Sequence, residues 1–165
     1  MKQPIKVALV GNPNVGKSSL FNQITKRYVS VSNYPGTTVS VTRGKITIQD
    51  KTFEVMDTPG MYSFLPVTEE ERVTRKIILE ESPDIIVHVV DSKNLERMLP
   101  LTLQLMETDF KVILNLNIMD EAEKIGMIID TSFLETYLDI PVIPTISIKN
   151  KGVQALKDKF YELSC

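Results

Sequence analysis

Cysteine is almost absent from this chain of 165 residues, whose one thiol, Cys165, is the last residue. A disulfide framework is therefore excluded, and such cysteine usage suits a reducing compartment. No apolar run approaches the ~18 residues of a membrane span. The short run in MKQPIKVALVG leads into a glycine loop rather than a cleavage site, so no signal peptide is expected. Charge of one sign is also lacking: the net charge is −2 and the pI about 5.5. That balance offers no electrostatic case for nucleic acid as the main partner. Histidine occurs once, as His88 inside IIVHVV, where a core role is expected. No repeat, low-complexity tract or linker divides the chain. With 42% hydrophobic and 24% charged residues it reads as one soluble domain over 1–165, long enough for a real core.

The stretch VALVGNPNVGKSSLF, residues 7–21, carries the strongest signal. Gly11, Asn12, Pro13, Asn14, Val15, Gly16, Lys17 and Ser18 spell GxxxxGKS, passing directly into Ser19, with a strand before the loop and a helix start after it. Glycines at both ends let successive N–H groups turn inward around phosphate oxygens. The amides of the helix N-terminus add positive potential. Lys17 would reach the β- and γ-phosphates, and the Ser18 hydroxyl would ligate Mg²⁺.

The rest of the chain alternates between strand and helix patterns. Strands are expected at 5–10, 40–48, 52–56, 84–90, 111–116 and 141–146, the second and third forming a hairpin. Helices are expected at 17–26, from 68 to just before 82, and at 95–106, 131–138 and 152–163. Residues 28–39, rich in Ser, Asn, Pro, Gly and Thr, read as a long loop, and loops of that length are usually functional. Thr68 followed by Glu71 has the capping-box spacing, while the run Glu69-Glu70-Glu71 otherwise reads as a solvated helix face. The expected fold is α/β: a mostly parallel six-stranded sheet with one antiparallel edge strand and helices on both faces. Ligands of such sheets bind at the carboxyl ends of the strands. The P-loop, Asp57, Asn117 and Asp120 all follow predicted strands, so they should converge on one rim.

Asn117-Ile118-Met119-Asp120 is an NxxD after a buried strand. A carboxylate can accept from both the ring N–H and the exocyclic amine of guanine, a donor pair adenine lacks. Asn117, Met119 and Asp120 are therefore candidates for the base site and GTP or GDP for the nucleotide. Asp57-Thr58-Pro59-Gly60 supplies the other end: Asp57 to hold Mg²⁺ through its water shell, and the Gly60 amide to meet the γ-phosphate. Thr38 is a candidate for the second Mg²⁺ hydroxyl, with Thr37 as its competing neighbour.

Together these segments resemble the Ras-like, translation-factor-type P-loop GTPases over essentially the whole chain. They resemble most closely the N-terminal G domain of the ferrous iron transport protein B (FeoB) family. GNPNVGKSSLFN at 11–22, NYPGTTV at 33–39, DTPGMYSF at 57–64, PDIIVHVVDSKNLERMLPLTLQL at 83–105 and LNIMDEAEKIGMIID at 116–130 carry the likeness. The resemblance matches Thr38, rather than Thr37, to the family's switch threonine. It implies slow GTP hydrolysis with Mg²⁺ by a cytoplasmic domain of a cell-membrane iron transporter. Its implied partners are guanine nucleotide, the helical and transmembrane parts of the same polypeptide beyond residue 165, and optionally a second copy. Lys17, Thr38 and Gly60 are the catalytic positions carried over. Asn14 matches the residue that helps coordinate K⁺ in potassium-activated relatives, and the competing reading is that it only stabilises the turn.

Two departures stand out. Met61 holds the place where the Ras-like pattern has a water-orienting glutamine, so an apolar contact is expected there. In Pro144-Thr145-Ile146-Ser147-Ile148, Ser147 matches the residue whose backbone N–H meets the guanine carbonyl. Ile146, however, replaces a bracing hydroxyl, so a loosely held loop is expected. With one His and one Cys, the domain has no soft-ligand site for iron, which would pass through another part of the protein. The competing functions are a free-standing ribosome-assembly GTPase, disfavoured by the acidic pI, and a GTP/GDP sensor with negligible turnover.

Overall fold

The computed structural model describes residues 3–26 and 29–165; Tyr28, the first residue of the expected long loop, lies outside them. The strands are β1 (Ile5–Val10), β2 (Val29–Asn33), β3 (Ser40–Ile48), β4 (Lys51–Asp57), β5 (Ile85–Asp91), β6 (Lys111–Asn117) and β7 (Val142–Pro144). The helices are α1 (Lys17–Thr25), α2 (Glu69–Glu80), α3 (Leu95–Met106), α4 (Met119–Lys124), α5 (Thr131–Leu138) and α6 (Val153–Leu163). They form one sheet in the order β2-β3-β4-β1-β5-β6-β7. β4, β1, β5, β6 and β7 are mutually parallel, and β3 runs antiparallel to both its neighbours.

Alternation along the strands sends side chains to two cores. Val7 and Leu9 of β1 meet Leu20, Phe21 and Ile24 of α1 and Leu156 and Phe160 of α6. Ala8 and Val10 meet Val73, Ile77 and Ile78 of α2 and Leu101 and Leu105 of α3. Each fully buried side chain of this size contributes about 1.5–3 kcal/mol by leaving water. β5 is buried from Ile85 to Val90, as a strand covered on both faces must be. His88 is in this strand, fully buried, with Nδ1 2.8 Å from the Thr102 hydroxyl.

The sheet has seven strands, not six. β2 occupies the first half of the expected loop, pairing from Val29↔Gly44 to Asn33↔Ser40. All five of its residues are exposed, so no buried face imposed a pattern that the sequence could display. The antiparallel β3 is accordingly interior, and β2 is the edge. The remaining loop, 34–39, is closed by Tyr34 N–H donating to the Val39 carbonyl at 2.8 Å. Pro100 lies inside α3, which continues unbroken around it. α4 was not expected, being only six residues long.

Candidate functional site

β1 stands between β4 and β5, where the chain passes from one half of the sheet to the other. Its carboxyl end opens into the P-loop, beside the ends of β4 and β5 and in the same rim as the end of β6. Such a switch point leaves a crevice that a ligand can occupy. Val15 is buried and ties the loop to the core, while Asn14 is exposed and left-handed at φ 64°. Gly16 has φ 86°, and a Cβ there would fall 2.4 Å from Asn117 Nδ2, so only glycine fits. No side chain caps α1, which leaves its first-turn amides available to an anion.

Three groups meet at the phosphate end. Asp57 Oδ2 accepts from the Ser18 hydroxyl at 2.7 Å. Lys17 is nearly buried, its Nζ donating to the Asn12 carbonyl at 3.5 Å. Burial raises the Asp57 pKa, opposed by the Ser18 hydrogen bond and the Lys17 charge. Burial lowers that of Lys17, opposed by Asp57. Asp57 Oδ1 is buried with no hydrogen-bond partner among the described residues. A buried carboxylate oxygen without a partner, next to a serine hydroxyl, is a hard-oxygen donor set that fits Mg²⁺. Gly60 follows on the same segment: a Cβ there would lie 2.6 Å from Pro13 Cγ and 3.1 Å from Pro13 N. That close approach holds the 57–60 segment against the P-loop. Thr38 is exposed, and its hydroxyl makes no hydrogen bond among the described residues. The Thr37 hydroxyl donates to the Tyr34 carbonyl and accepts from Val39 N–H, which distinguishes the two threonines.

Met61 is fully buried in the α2/α3 core, while its N–H donates to the Gly11 carbonyl at 2.9 Å. The apolar contact expected of it is present. The following segment is held by Glu71, expected as the capping-box partner of Thr68, and by Gln104 and Thr74, which the sequence did not single out. Glu71, read as part of a solvated face, is 5% exposed and accepts from Tyr62 N–H (3.2 Å), Val67 N–H (2.9 Å) and Thr68 N–H (3.1 Å). These bonds hold its carboxyl below the usual range. Its capping-box spacing from Thr68 was the available signal, and that box is formed. Gln104 of α3 accepts from Phe64 N–H at 2.9 Å, and the Thr74 hydroxyl donates to the Pro59 carbonyl at 2.8 Å.

The base end is organised by Asn117, whose side chain is fully buried. Its Nδ2 donates to the Val15 carbonyl and to Ser147 Oγ, both at 3.0 Å. Its Oδ1 accepts from Thr145 Oγ1 and Ser147 N–H, again at 3.0 Å. One carboxamide thus joins the P-loop to the 144–148 loop, and Ser19 joins them too, 3.3 Å from Ser147 Oγ. The loop is not loosely held, because Thr145 and Ser147 supply the hydroxyl brace that Ile146 cannot. The Ser147 N–H, expected to meet the base, is instead donated to Asn117. Met119 N–H donates to the Thr145 carbonyl at 3.3 Å, and Asp120 Oδ2 accepts from Lys149 Nζ at 2.8 Å. That ion pair holds the Asp120 carboxyl below the usual range.

Comparison with known proteins identifies the family. The family model of ferrous iron transport protein B matches residues 5–160. The chain belongs to the FeoB family, as its N-terminal G domain. The G domain of T. maritima FeoB superposes with a TM-score of 0.91 at 39% identity, covering 99% of this chain and 100% of that one. The GMPPNP form of the T. maritima FeoB cytosolic domain superposes with a TM-score of 0.91 at 42% identity, over 96% of this chain and 63% of that one. The Fe(2+) transporter FeoB of Escherichia coli (strain K12) is 39% identical over 157 residues. The Fe(2+) transport protein A/Fe(2+) transporter FeoB fusion protein of Porphyromonas gingivalis is 43% identical over 155 residues. These matches cover 93% of this chain but only 20% and 18% of the two relatives, so the chain spans about a fifth of their length.

Proposed function

We propose that this chain binds GTP and GDP at its P-loop and slowly hydrolyses GTP with Mg²⁺. In this reading it is one domain over 1–165, the cytoplasmic regulatory part of a longer FeoB polypeptide that carries ferrous iron across the cell membrane. The observation that carries the proposal is the Ser18–Asp57 pair at 2.7 Å beside buried Lys17, with Asp57 Oδ1 left without a partner among the described residues. The likeness to a T. maritima FeoB domain in GDP and GMPPNP forms supports the choice of nucleotide.

The N–H groups of residues 14–19 enclose the phosphates, and the Lys17 ammonium balances charge on the β- and γ-oxygens. Ser18, Asp57 and Thr38 would hold Mg²⁺, which would supply positive charge against the phosphate oxygens. The Gly60 N–H meets the γ-phosphate. Asp120 reads the two guanine donors, Met119 backs the base, and Asn117 positions the surrounding loops. The N–H following Ser147, that of Ile148, serves the guanine carbonyl. Hydrolysis rests on positioning and electrostatics, because the Met61 side chain is in the core and orients no water. Asn14, exposed in the P-loop, would help hold a K⁺ ion in the role an arginine finger has elsewhere. The loops around 34–39 and 60–68 change order with the γ-phosphate and signal to the rest of the polypeptide. Iron is the cargo of other segments.

The sensor reading with negligible turnover draws on the same burial of Met61. Turnover of GTP in K⁺ and Na⁺ buffers, for the parent and Asn14→Ala, separates them. Stimulation by K⁺ that Asn14→Ala abolishes is expected, and turnover at the level of uncatalysed GTP in both salts would leave the sensor. An Asp120→Ala domain that binds GDP as well as the parent overturns the guanine assignment.

A further inference from the structure

Asp120 is the carboxylate on which the guanine reading depends, and a lysine already holds it. Lys149 Nζ lies 2.8 Å from Asp120 Oδ2, with side-chain exposures of 50% and 15%. Lys149 ends the 3-10 turn Ser147–Lys149, whose backbone is fixed: Lys149 N–H donates to the Ile146 carbonyl and Asn150 N–H to the Ser147 carbonyl, both at 3.0 Å. Asn117 ties that turn to the P-loop through Ser147. The backbone therefore cannot carry the ammonium away, but the four-carbon stem, half exposed, can swing.

The geometry points to Lys149 as an internal competitor for guanine: its ammonium takes Asp120 Oδ2, an oxygen the base would use, and must withdraw for the base to take it. This rests on the guanine reading of Asp120 given above. Guanine presents two N–H donors to a carboxylate, and an ammonium presents donors to the same oxygens. Lys149 Nζ sits on Oδ2, one of the only two oxygens Asp120 can offer the base. The pair keeps the carboxylate charged and partnered, and guanine binding would exchange it for base hydrogen bonds. Lys149 thus sets part of the ease with which nucleotide leaves, independently of the phosphate contacts.

An exposed ion pair of this kind lowers affinity for the competing ligand by about two- to fivefold. The test is a binding competition against a fluorescent GDP analogue, with Lys149→Met and Lys149→Arg. Lys149 also attracts the phosphates of any nucleotide, an effect of opposite sign. Lys149→Met is therefore repeated in an Asp120→Asn background with xanthosine diphosphate, whose 2-oxo group an amide can satisfy. We expect Lys149→Met to tighten GDP binding two- to fivefold, Lys149→Arg to stay within about twofold of the parent, and no tightening in the Asp120→Asn background. Unchanged or weaker GDP binding by Lys149→Met, or equal tightening in both backgrounds, overturns the competitor role. If Asp120→Ala binds GDP like the parent, the guanine reading falls and the competitor with it. A null Lys149→Met result beside a sensitive Asp120→Ala removes the competitor alone.

Discussion

Replacing Asn117 with alanine removes a side chain that makes four hydrogen bonds without touching solvent. The two hydroxyls it serves have alternatives: Thr145 Oγ1 still accepts from Asn115 Nδ2 at 3.0 Å, and Ser147 Oγ still has Ser19 Oγ at 3.3 Å. The Val15 carbonyl and the Ser147 N–H lose the partner they had in Asn117. A buried polar group left unsatisfied costs about 1–3 kcal/mol, so two of them cost about 2–6 kcal/mol, with the lower half expected if water enters the vacated space. A loss of about 3 kcal/mol is a large share of the roughly 5–15 kcal/mol of a typical domain. For a chain of this size it corresponds to about 6–12 °C in Tm. The chain has no tryptophan, so urea and thermal unfolding are best followed by far-UV circular dichroism. GDP affinity should fall as well, because the P-loop and the 144–148 loop lose their common tie. A variant that unfolds within 1 kcal/mol of the parent and binds GDP equally well would refute the reasoning.

Three further outcomes are expected. Met61→Gln restores the residue type of the Ras-like pattern but buries an amide in an apolar core. It should cost about 1–3 kcal/mol in urea unfolding without raising GTP turnover, and faster turnover would contradict the burial argument. His88 is held neutral by burial, with Lys17 adding to the effect, and its pKa is lowered to about 3. The unfolded chain protonates this histidine below pH ~6.5 whereas the folded one does not, so folding stability falls as pH drops through that value. Between pH 7 and 5 the loss is about 2 kcal/mol, and His88→Gln should lack this component when unfolding is compared at the two pH values. Gly60→Ala places a Cβ against Pro13 and should push the 57–60 segment off the P-loop, cutting GTP turnover at least tenfold while GDP binding changes little. Equal turnover would show that this approach does not matter.

The chemistry of the site was legible from the sequence where a short segment must meet a small rigid ligand. GxxxxGKS, DTPG and NxxD each follow a strand, and the spacing between glycine and lysine or asparagine and aspartate is local. Met61 could be read as apolar from its residue type alone. The bracing network was not legible. The Thr68–Glu71 spacing announced the capping box, but Glu71 also stood in an acidic run that looked solvated, and only the fold of residues 62–67 against α2 brought it the Tyr62 and Val67 amides. β2 gave no pattern because neither of its faces is buried, and its pairing with β3 supplies only backbone bonds.

Local sequence determined the phosphate cradle, the alternation of strand and helix, and which residue types could serve a guanine nucleotide, because those depend on backbone torsion, periodicity and functional groups a few residues apart. Tertiary structure decided how the loops are joined. Asn117 meets Val15 and Ser147 across 102 and 30 residues, and Lys149 meets Asp120 across 29. Hydrogen bonds between loops that distant form only after the sheet order has brought the strand ends together, and nothing in the local pattern encodes which partner each will find.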